Sequence, residues 1–397
     1  MRIASFGFRS LPPSEGSAGA DKFALEFLPR LAERGHTVTA YNRLYPGQQK
    51  GPEEYKGVHI VYFRTIRKSG IDTIWHSLRV MLHLIFKNKV DIVHVQGNNA
   101  IFAFILRLFG KNVVQSIDGV EWEREKWSWF MRKLVLANAY LAVYASKYIA
   151  IDNVFTKEIF ETKFKRQFDF ISFGSEVKDN GDSDVLQRLG LQAGEYFLFV
   201  GRFIPDKGLQ YLIPAFEKLN TGKKLVLVGG SPNPTQFEED LKKTTDSRII
   251  FPGFMYGQDT ITLMKHAYAY VQPSDIEGLS PVMLSVMGLG TPIICSDIRE
   301  NLFIVHEDAL LFGKSDVESL RKTLEYALEN RDKHLQMAVQ AKKRILRDYS
   351  WETITDQYLE IFNRHYKGQG SNSRIVPDMA GPLRKHAEAQ SMQNANS

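Results

Sequence analysis

Tyr196-Phe197-Leu198-Phe199-Val200-Gly201-Arg202-Phe203-Ile204-Pro205-Asp206-Lys207-Gly208 is the stretch on which the reading of this chain turns. An apolar run of strand length, Tyr196–Val200, meets a turn punctuated by Gly201, Pro205 and Gly208. Apolar residues at helical spacing then continue over Gln210–Leu219. Strand, loop and helix in succession is one half of a parallel crossover unit, and the chain on either side repeats it.

Downstream, Lys224–Val228, Arg248–Phe251, Tyr268–Gln272, Pro292–Cys295 and Ala309–Phe312 read as strands. Thr260–His266, Pro281–Met287 and Val317–Asn330 read as helices. Upstream, Arg2–Phe8, His36–Asn42, Val58–Phe63, Val90–Val95 and Asn112–Ile117 are short β-branched or aromatic runs, with helical patterns at Phe23–Arg34, Ile74–Lys87 and Ala100–Phe109. Such alternation predicts an α/β chain of two doubly wound, Rossmann-like domains with parallel sheets. Folds of this kind bind ligands at the carboxyl ends of their strands, and two facing domains would hold one in the cleft between them.

Ser175–Gly194 is polar and contains Lys178-Asp179-Asn180-Gly181-Asp182-Ser183-Asp184, which marks it as the linker. The expected organisation is a first domain over 1–175, a second over 176–350, a helix over 351–366 and a disordered tail over 367–397, where large apolar residues are few.

Composition narrows the function classes. Of 397 residues, 44% are apolar and 24% charged, which is globular and excludes a collagen-like or coiled-coil chain. The single cysteine, Cys295, excludes an internal disulfide framework and a cysteine-based zinc site. The opening stretch, interrupted by Arg9 and Pro12-Pro13, is too short and polar for a secretory leader. The longest apolar runs, Ala100–Leu106 and Ala139–Ala145, are far short of the roughly 20 residues of a spanning helix. A cytoplasmic protein is expected, peripheral at most at the inner face of the plasma membrane. Residues 1–180 carry 26 Lys and Arg against 18 Asp and Glu, and the remainder 25 against 27. A basic half suits a phosphorylated substrate or an anionic membrane surface. With its basic residues scattered and no recognition motif, nucleic acid is not an expected partner.

Three loops carry candidate chemistry. Arg202 and Lys207 project from one turn and suit a diphosphate clamp, although a solvated basic turn has the same composition. Asp275-Ile276-Glu277-Gly278-Leu279-Ser280-Pro281 follows a strand and opens a helix. Its backbone N–H groups and helix dipole favour an anion, with Pro281 in the first turn, whereas a plain cap for Glu277 is the simpler alternative. Pro12–Asp21 joins the first strand to a helix through small residues that include Gly16 and Gly19. It lacks the dinucleotide fingerprint, so NAD is disfavoured.

In this order and spacing, these motifs resemble the retaining family-4 glycosyltransferases of GT-B fold, over roughly residues 1–366. The most specific stretches are Gly201–Gly208 and Asp275–Asp297. In the first half, Arg64-Thr65-Ile66-Arg67, Asp91–Gly97 and Asp118-Gly119-Val120-Glu121-Trp122 are similar to a bacterial branch that builds surface polysaccharides. The resemblance implies that Arg202 and Lys207 hold the donor diphosphate and that Glu277 sits against the sugar. Gly278, Leu279 and Ser280 would offer backbone donors, the Gly16–Gly19 loop would close over the donor, and Phe254 would lie near the base. Asp118 falls where many relatives carry a catalytic-site histidine or aspartate, and is expected to orient an acceptor or sugar hydroxyl. The family's second glutamate is replaced by Ser285, which removes a charge-assisted bond worth about 1.5–3 kcal/mol.

The implied activity is transfer of a hexosyl or deoxyhexosyl group, with retention, from a nucleotide-sugar to a saccharide or lipid-linked saccharide acceptor in surface-polysaccharide synthesis. The nucleotide-sugar is a substrate, and neither cofactor nor metal is expected. A non-catalytic nucleotide-sugar-binding subunit of a glycan-assembly complex and a nucleotide-sugar epimerase are the alternatives. His94 fits either cleft or core, and Cys295 reads as packing. His76 and His83 share a helix face without a third ligand. Trp122–Lys133, with Trp127, Trp129, Phe130 and Arg132, reads either as an interfacial segment or as a helix packed on the sheet.

Overall fold

A computed structural model of the chain describes all residues except 14–18, 69–70, 88, 98, 118, 121–128, 176–179, 231–234 and 367–397. The chain divides into two compact units. One comprises Met1–Gly174 together with the segment from Trp351, and the other Ser175–Ser350.

The first unit opens with β1 (Arg2–Phe6), α1 (Gly19–Glu33), β2 (Thr37–Leu44), the short β3 (Glu54–Tyr55) and β4 (Val58–Arg64). It continues through α2 (Ile71–Phe86), β5 (Ile92–Gln96), α3 (Ala100–Leu108), β6 (Val113–Ile117), α4 (Trp129–Ala145), β7 (Tyr148–Ile151), α5 (Val154–Phe164) and β8 (Asp169–Phe170). The strands form one sheet in the order β3-β4-β2-β1-β5-β6-β7-β8, parallel except for the β3–β4 pair. Its inner strands β1, β5, β6 and β7 are buried on both faces, as covered parallel sheets require. On one face Ile3, Ile92 and Val114 meet Phe23, Phe27 and Leu28 of α1; on the other Ala4, Val93 and Val95 meet Val80 and Leu84 of α2 and Phe102 and Leu106 of α3.

The second unit runs through α6 (Val185–Arg188), β9 (Tyr196–Arg202), α7 (Leu209–Glu217), β10 (Lys224–Gly230), α8 (Gln236–Leu241), β11 (Ile249–Gly253) and α9 (Gln258–His266). Then come β12 (Ala269–Gln272), α10 (Pro281–Leu289), β13 (Ile293–Ser296), α11 (Arg299–Val305), β14 (Leu310–Phe312), α12 (Val317–Glu329) and α13 (Arg331–Asp348). Its sheet is wholly parallel in the order β11-β10-β9-β12-β13-β14. The order reverses direction between β9 and β12, and such a switch point leaves a crevice at the strands' carboxyl ends. Phe197, Phe199, Leu225, Leu227 and Val271 bury one face beneath α7 and α12.

The predicted strands of the second half correspond to β9–β14, and those of the first half to β1, β2, β4, β5 and β6. Differences have local causes. β1 stops at Phe6 because Gly7 adopts φ +117. β7, β8, α5, α8, α11 and α13 were not expected: strands of two to four residues, short helices and the polar α13 carry weak periodicity. The linker is partly structured. Asp182 pairs with Lys265 and His266 of α9 at 3.1 and 2.8 Å, and Val185 and Leu191 are buried. The final helix α14 (Trp351–Tyr366) is not a free appendage. Trp351, Tyr358 and Phe362 are buried in the same cluster as Phe23 and Phe27 of the first unit. The tail over 367–397 lies outside the described residues.

Candidate functional site

The site assembles where the second sheet reverses. β9 delivers Arg202, and the turn Pro205–Lys207 delivers Lys207 before α7 begins. Gly208 closes this turn at φ +73, and a Cβ there would come within 1.8 Å of the Pro273 carbonyl oxygen. Only glycine allows the two loops to approach so closely. At the neighbouring strand end, a Cβ on Gly229 (φ +129) would lie 1.9 Å from the Gly201 carbonyl oxygen.

The β9 and β12 loops are then tied together. Asp275 N–H donates to the Asp206 carbonyl at 2.9 Å. The Tyr211 and Ser315 hydroxyls donate to the two carboxylate oxygens of Asp275 at 2.9 and 2.7 Å. Lys207 Nζ lies 2.6 Å from Glu277 Oε1, and Ser274 Oγ donates to the same oxygen at 2.6 Å. The Glu277 side chain is 8% exposed and that of Lys207 21%. Oε1 is thus anchored twice, while Oε2 has no partner among the described residues. Lys207, with three ammonium donors, keeps two for another ligand.

The start of α10 is organised from beneath. Ser280 is its N-cap: Oγ accepts from Met283 N–H at 3.3 Å and donates to Gln272 Oε1 at 3.1 Å. Gln272 Nε2 donates to Asn301 Oδ1 at 3.0 Å, Asn301 Nδ2 to the Ser296 carbonyl and hydroxyl oxygens at 3.0 Å, and Ser296 Oγ to the Ser274 carbonyl at 2.5 Å. These groups are buried and fully engaged, as interior polar groups must be. Above them the backbone N–H groups of Gly278 and Leu279 have no partner among the described residues, with Gly278 exposed. Arg202 is exposed, and its side chain has no partner among the described residues. The result is one oriented carboxylate, two cations and free N–H donors at a helix N-terminus, an arrangement suited to an anion joined to a hydroxylated group.

The remaining expected residues are placed as follows. Ser285 lies one turn into α10, and its hydroxyl donates to the Pro281 carbonyl at 2.9 Å, a bond within its own helix. Phe254 is 50% exposed beyond β11 and stacks parallel to Tyr256, with ring centroids 6.4 Å apart. The Phe254 ring also borders Gly230 at the end of β10. Gly19 is the first residue of α1, and a Cβ there would meet nothing within 4 Å. Gly16 and Asp118 lie outside the described residues, as do Glu121 and Trp122.

His94 is core. Its Nδ1 lies 2.9 Å from Ser5 Oγ and its Nε2 2.8 Å from Ser116 Oγ. Phe27, Tyr358 and Phe362 surround the ring, and burial pushes its pKa down to about 3. His83 Nδ1 sits 3.1 Å from Tyr41 OH, while His76 is fully buried. Cys295 is buried in β13, where burial raises its pKa, and is packing. Ser274 and Gln272, which position Glu277 and Ser280, were missed in the sequence. The one available signal was the Ser274–Glu277 spacing. Tyr256, two residues beyond Phe254, was missed as well.

Residues 187–344 match the family described as "Glycosyl transferases group 1", and residues 17–152 the one described as "Glycosyltransferase Family 4". An uncharacterized glycosyltransferase of Methanocaldococcus jannaschii is 30% identical over 190 residues, 44% of this chain and 46% of that protein. The lipopolysaccharide core biosynthesis glycosyltransferase LpsE of Rhizobium meliloti is 22% identical over 91% of this chain and 98% of that protein. Against the Methanocaldococcus protein, the match spans about half of the relative's length. Among solved structures, sucrose-phosphate synthase of Thermosynechococcus elongatus superposes with a TM-score of 0.75 at 19% identity, covering 93% of this chain and 100% of that one. Anabaena HepE in complex with UDP and glucose gives 0.71 at 17% identity, covering 91% and 99%. The chain has the GT-B fold class expected from its sequence and carries two segments matching glycosyltransferase families.

Proposed function

We propose that this protein transfers a hexosyl or deoxyhexosyl group from a nucleotide-sugar donor to a saccharide or lipid-linked saccharide, with retention, in the synthesis of a bacterial surface polysaccharide or related glycan. The observation that carries the proposal is the Lys207–Glu277 pair at the switch point of the second sheet, beside unpartnered Arg202 and the free N–H groups of Gly278 and Leu279. The relatives in lipopolysaccharide synthesis and the HepE complex with UDP and glucose support the donor and acceptor classes.

The chemistry follows from charge. As the bond between sugar and diphosphate breaks, negative charge collects on the departing diphosphate. Lys207 and the α10 N-terminus are fixed before the reaction, so they stabilise that charge without reorganising, and the exposed Arg202 adds a second cation. The free oxygen of Glu277 accepts from a sugar hydroxyl and orients the ring. Asp118 orients the incoming hydroxyl, which attacks from the face the diphosphate leaves and passes its proton to an oxygen of that departing diphosphate, and Phe254 with Tyr256 offers a stacking surface for the base.

Calorimetric titration with UDP-, GDP-, dTDP- and CMP-sugars, repeated on Arg202→Ala, tests the reading. Tight binding of one donor, lost in the variant, is expected; a folded protein that binds none of them contradicts it. Ser285 favours a second reading, a nucleotide-sugar-binding subunit without turnover, because its hydroxyl is already bonded to Pro281 and carries no charge. Donor binding without transfer to any acceptor would select this reading. An epimerase would instead convert donor with no acceptor present.

An anionic membrane surface is the proposed partner of the first unit. Phe86, Leu108 and Phe109 are exposed on α2, on α3 and just beyond α3, close to Lys87, Arg107 and Lys111 in sequence. On α4, Lys133 Nζ lies 3.9 Å from the centroid of the exposed Trp129 ring. Apolar rings rimmed by cations suit an anionic interface. Among the described residues no helix is long and apolar enough to cross a membrane. Equal sedimentation with neutral and anionic vesicles would contradict the electrostatic attraction.

A further inference from the structure

The first unit contains a cavity of about 570 Å³ that the donor chemistry above does not use. It lies at the carboxyl ends of β1, β2 and β4, and its walls are rigid. The loop after β1 is clamped to the end of β2: Leu11 N–H donates to Asn42 Oδ1 at 3.0 Å, Asn42 Nδ2 to the Leu11 carbonyl at 2.8 Å, and Arg43 N–H to the Arg9 carbonyl at 2.8 Å. Asp21 of α1, itself buried, accepts the backbone N–H groups of Arg9 and Ser10 at 2.6 and 3.2 Å. Thr65 N–H donates to the Leu44 carbonyl at 2.9 Å and holds the loop after β4 against β2.

Among the described residues, Arg9, Arg43, Arg67 and Lys68 line this cavity together with the carboxylate of Asp72. That carboxylate is committed: Asp72 Oδ2 accepts from Arg43 Nη1 and from Tyr45 OH, both at 2.8 Å. Arg43 is more than nine-tenths buried, and its Nε has no partner among the described residues. Arg67 and Lys68 are exposed, and neither side chain has a partner among the described residues. Arg67 closes the Arg64-Thr65-Ile66-Arg67 stretch, to which the donor chemistry assigns no role. Gln48, Gln49 and Tyr62 supply the neutral part of the lining.

We propose that this cavity binds an oxyanion carried on a saccharide, a carboxylate or a phosphate, so that the acceptor of the reaction proposed above is an acidic glycan. Arg67 and Lys68 leave two like charges on one wall of the cavity without a partner among the described residues, and a neutral sugar offers them no counter-charge. Guanidinium groups present paired N–H donors that match carboxylate and phosphate oxygens, while amide and phenol groups suit hydroxyls. The role as acceptor rests on the transferase reading; the binding itself does not.

The test uses the full chain and NMR titration with four probes: a hexuronate, a hexose 1-phosphate, inorganic phosphate and the neutral hexose. At least one anionic sugar is expected to bind about tenfold more tightly than the neutral hexose, and to weaken markedly between about 50 and 300 mM salt. Preference for the hexuronate assigns a uronate-bearing glycan, and preference for the hexose 1-phosphate a phosphorylated or diphosphate-linked one. The double variant Arg67→Ala/Lys68→Ala, at exposed positions that leave the wall bonds intact, should lose about tenfold in this affinity. It should keep nucleotide-sugar binding unchanged. Equal binding of neutral and anionic sugars, equal binding of inorganic phosphate and hexose phosphate, or full affinity in the double variant would overturn the proposal. Anionic-sugar binding by a protein that binds no nucleotide-sugar would leave the cavity's assignment standing and overturn the transfer reaction instead.

Discussion

In the first unit, Ser5, His94, Ser116 and Tyr358 form a hydrogen-bonded row across β1, β5, β6 and α14. In the second, Ser280, Gln272, Asn301, Ser296 and Ser274 form a comparable row across β12, β13 and the starts of α10 and α11. Both rows are buried, and both run beside the point where their sheet reverses order. They differ in where they end. The first ends among aromatic rings, with Tyr358 packed on Phe27 and Phe362. The second ends at Ser274, whose hydroxyl holds Glu277 beside Lys207. A buried polar row that ends in the core fixes packing, and one that ends at a surface loop transmits that rigidity to a functional side chain.

The largest effect that follows lies at the end of the second row. Lys207→Ala or Arg202→Ala should lower sugar transfer by about 10²–10³-fold, as loss of a preorganised donor to a charged transition state does. The thermal midpoint of Arg202→Ala, at an exposed and unpartnered position, should stay near the parent value, whereas Lys207→Ala also leaves Glu277 without its counter-charge and should lower it. Unchanged turnover in both variants would mean that the second row ends at no active site, and the comparison would collapse.

The next effect belongs to the first unit and to acid. His94 and His76 are held neutral by burial, each with its pKa lowered to about 3. An unfolded imidazole takes up its proton near pH 6.5, so below that value the unfolded state binds more protons than the folded one. Stability therefore falls as pH falls from about 6.5 towards 3, by about 1.4 kcal/mol per pH unit for each such group. Urea midpoints measured across this range should show the slope, and His94→Gln should flatten it. An unchanged slope in that variant would place the proton uptake elsewhere.

A paired substitution sharpens the contrast between the rows. Asn301→Leu removes the acceptor of Gln272 Nε2 and the amide donor to Ser296, and should cost about 1–3 kcal/mol. It should also reduce transfer, because Glu277 loses its fixed support. Tyr358→Phe removes one bond from the first row, and should cost about 1 kcal/mol in stability with transfer unchanged. Equal losses of transfer in the two variants would show that the rows do not differ in the way described. The smallest expected effect is at Ser285. Ser285→Glu restores a carboxylate one turn into α10 and should tighten nucleotide-sugar binding by several-fold, about 1 kcal/mol. Unchanged affinity by calorimetry would show that this position does not reach the nucleotide.

Much of this was legible before any coordinates. Both doubly wound patterns could be read, as could the turn carrying Arg202 and Lys207 and the strand-to-helix loop carrying Glu277. Each signal is local: apolar runs alternating with helical spacing, punctuated by Gly201, Pro205, Gly208, Gly278 and Pro281. Where such signals were weak the reading missed elements. Tyr148–Ile151 is only four residues long, and α13 presents few large apolar groups.

The sequence by itself determined the α/β class, the alternating elements and the loops that carry the candidate chemistry, because backbone preference and apolar period are properties of neighbouring residues. Only the tertiary structure decided that Lys207 meets Glu277 seventy positions away, that α14 returns to the first unit, that His94 is enclosed rather than exposed, and that Arg9, Arg43 and Arg67 converge on one cavity. Those outcomes depend on strand order and on which faces find apolar cover. Both are set by the packing of the whole sheet, where the burial free energy of many distant residues acts at once.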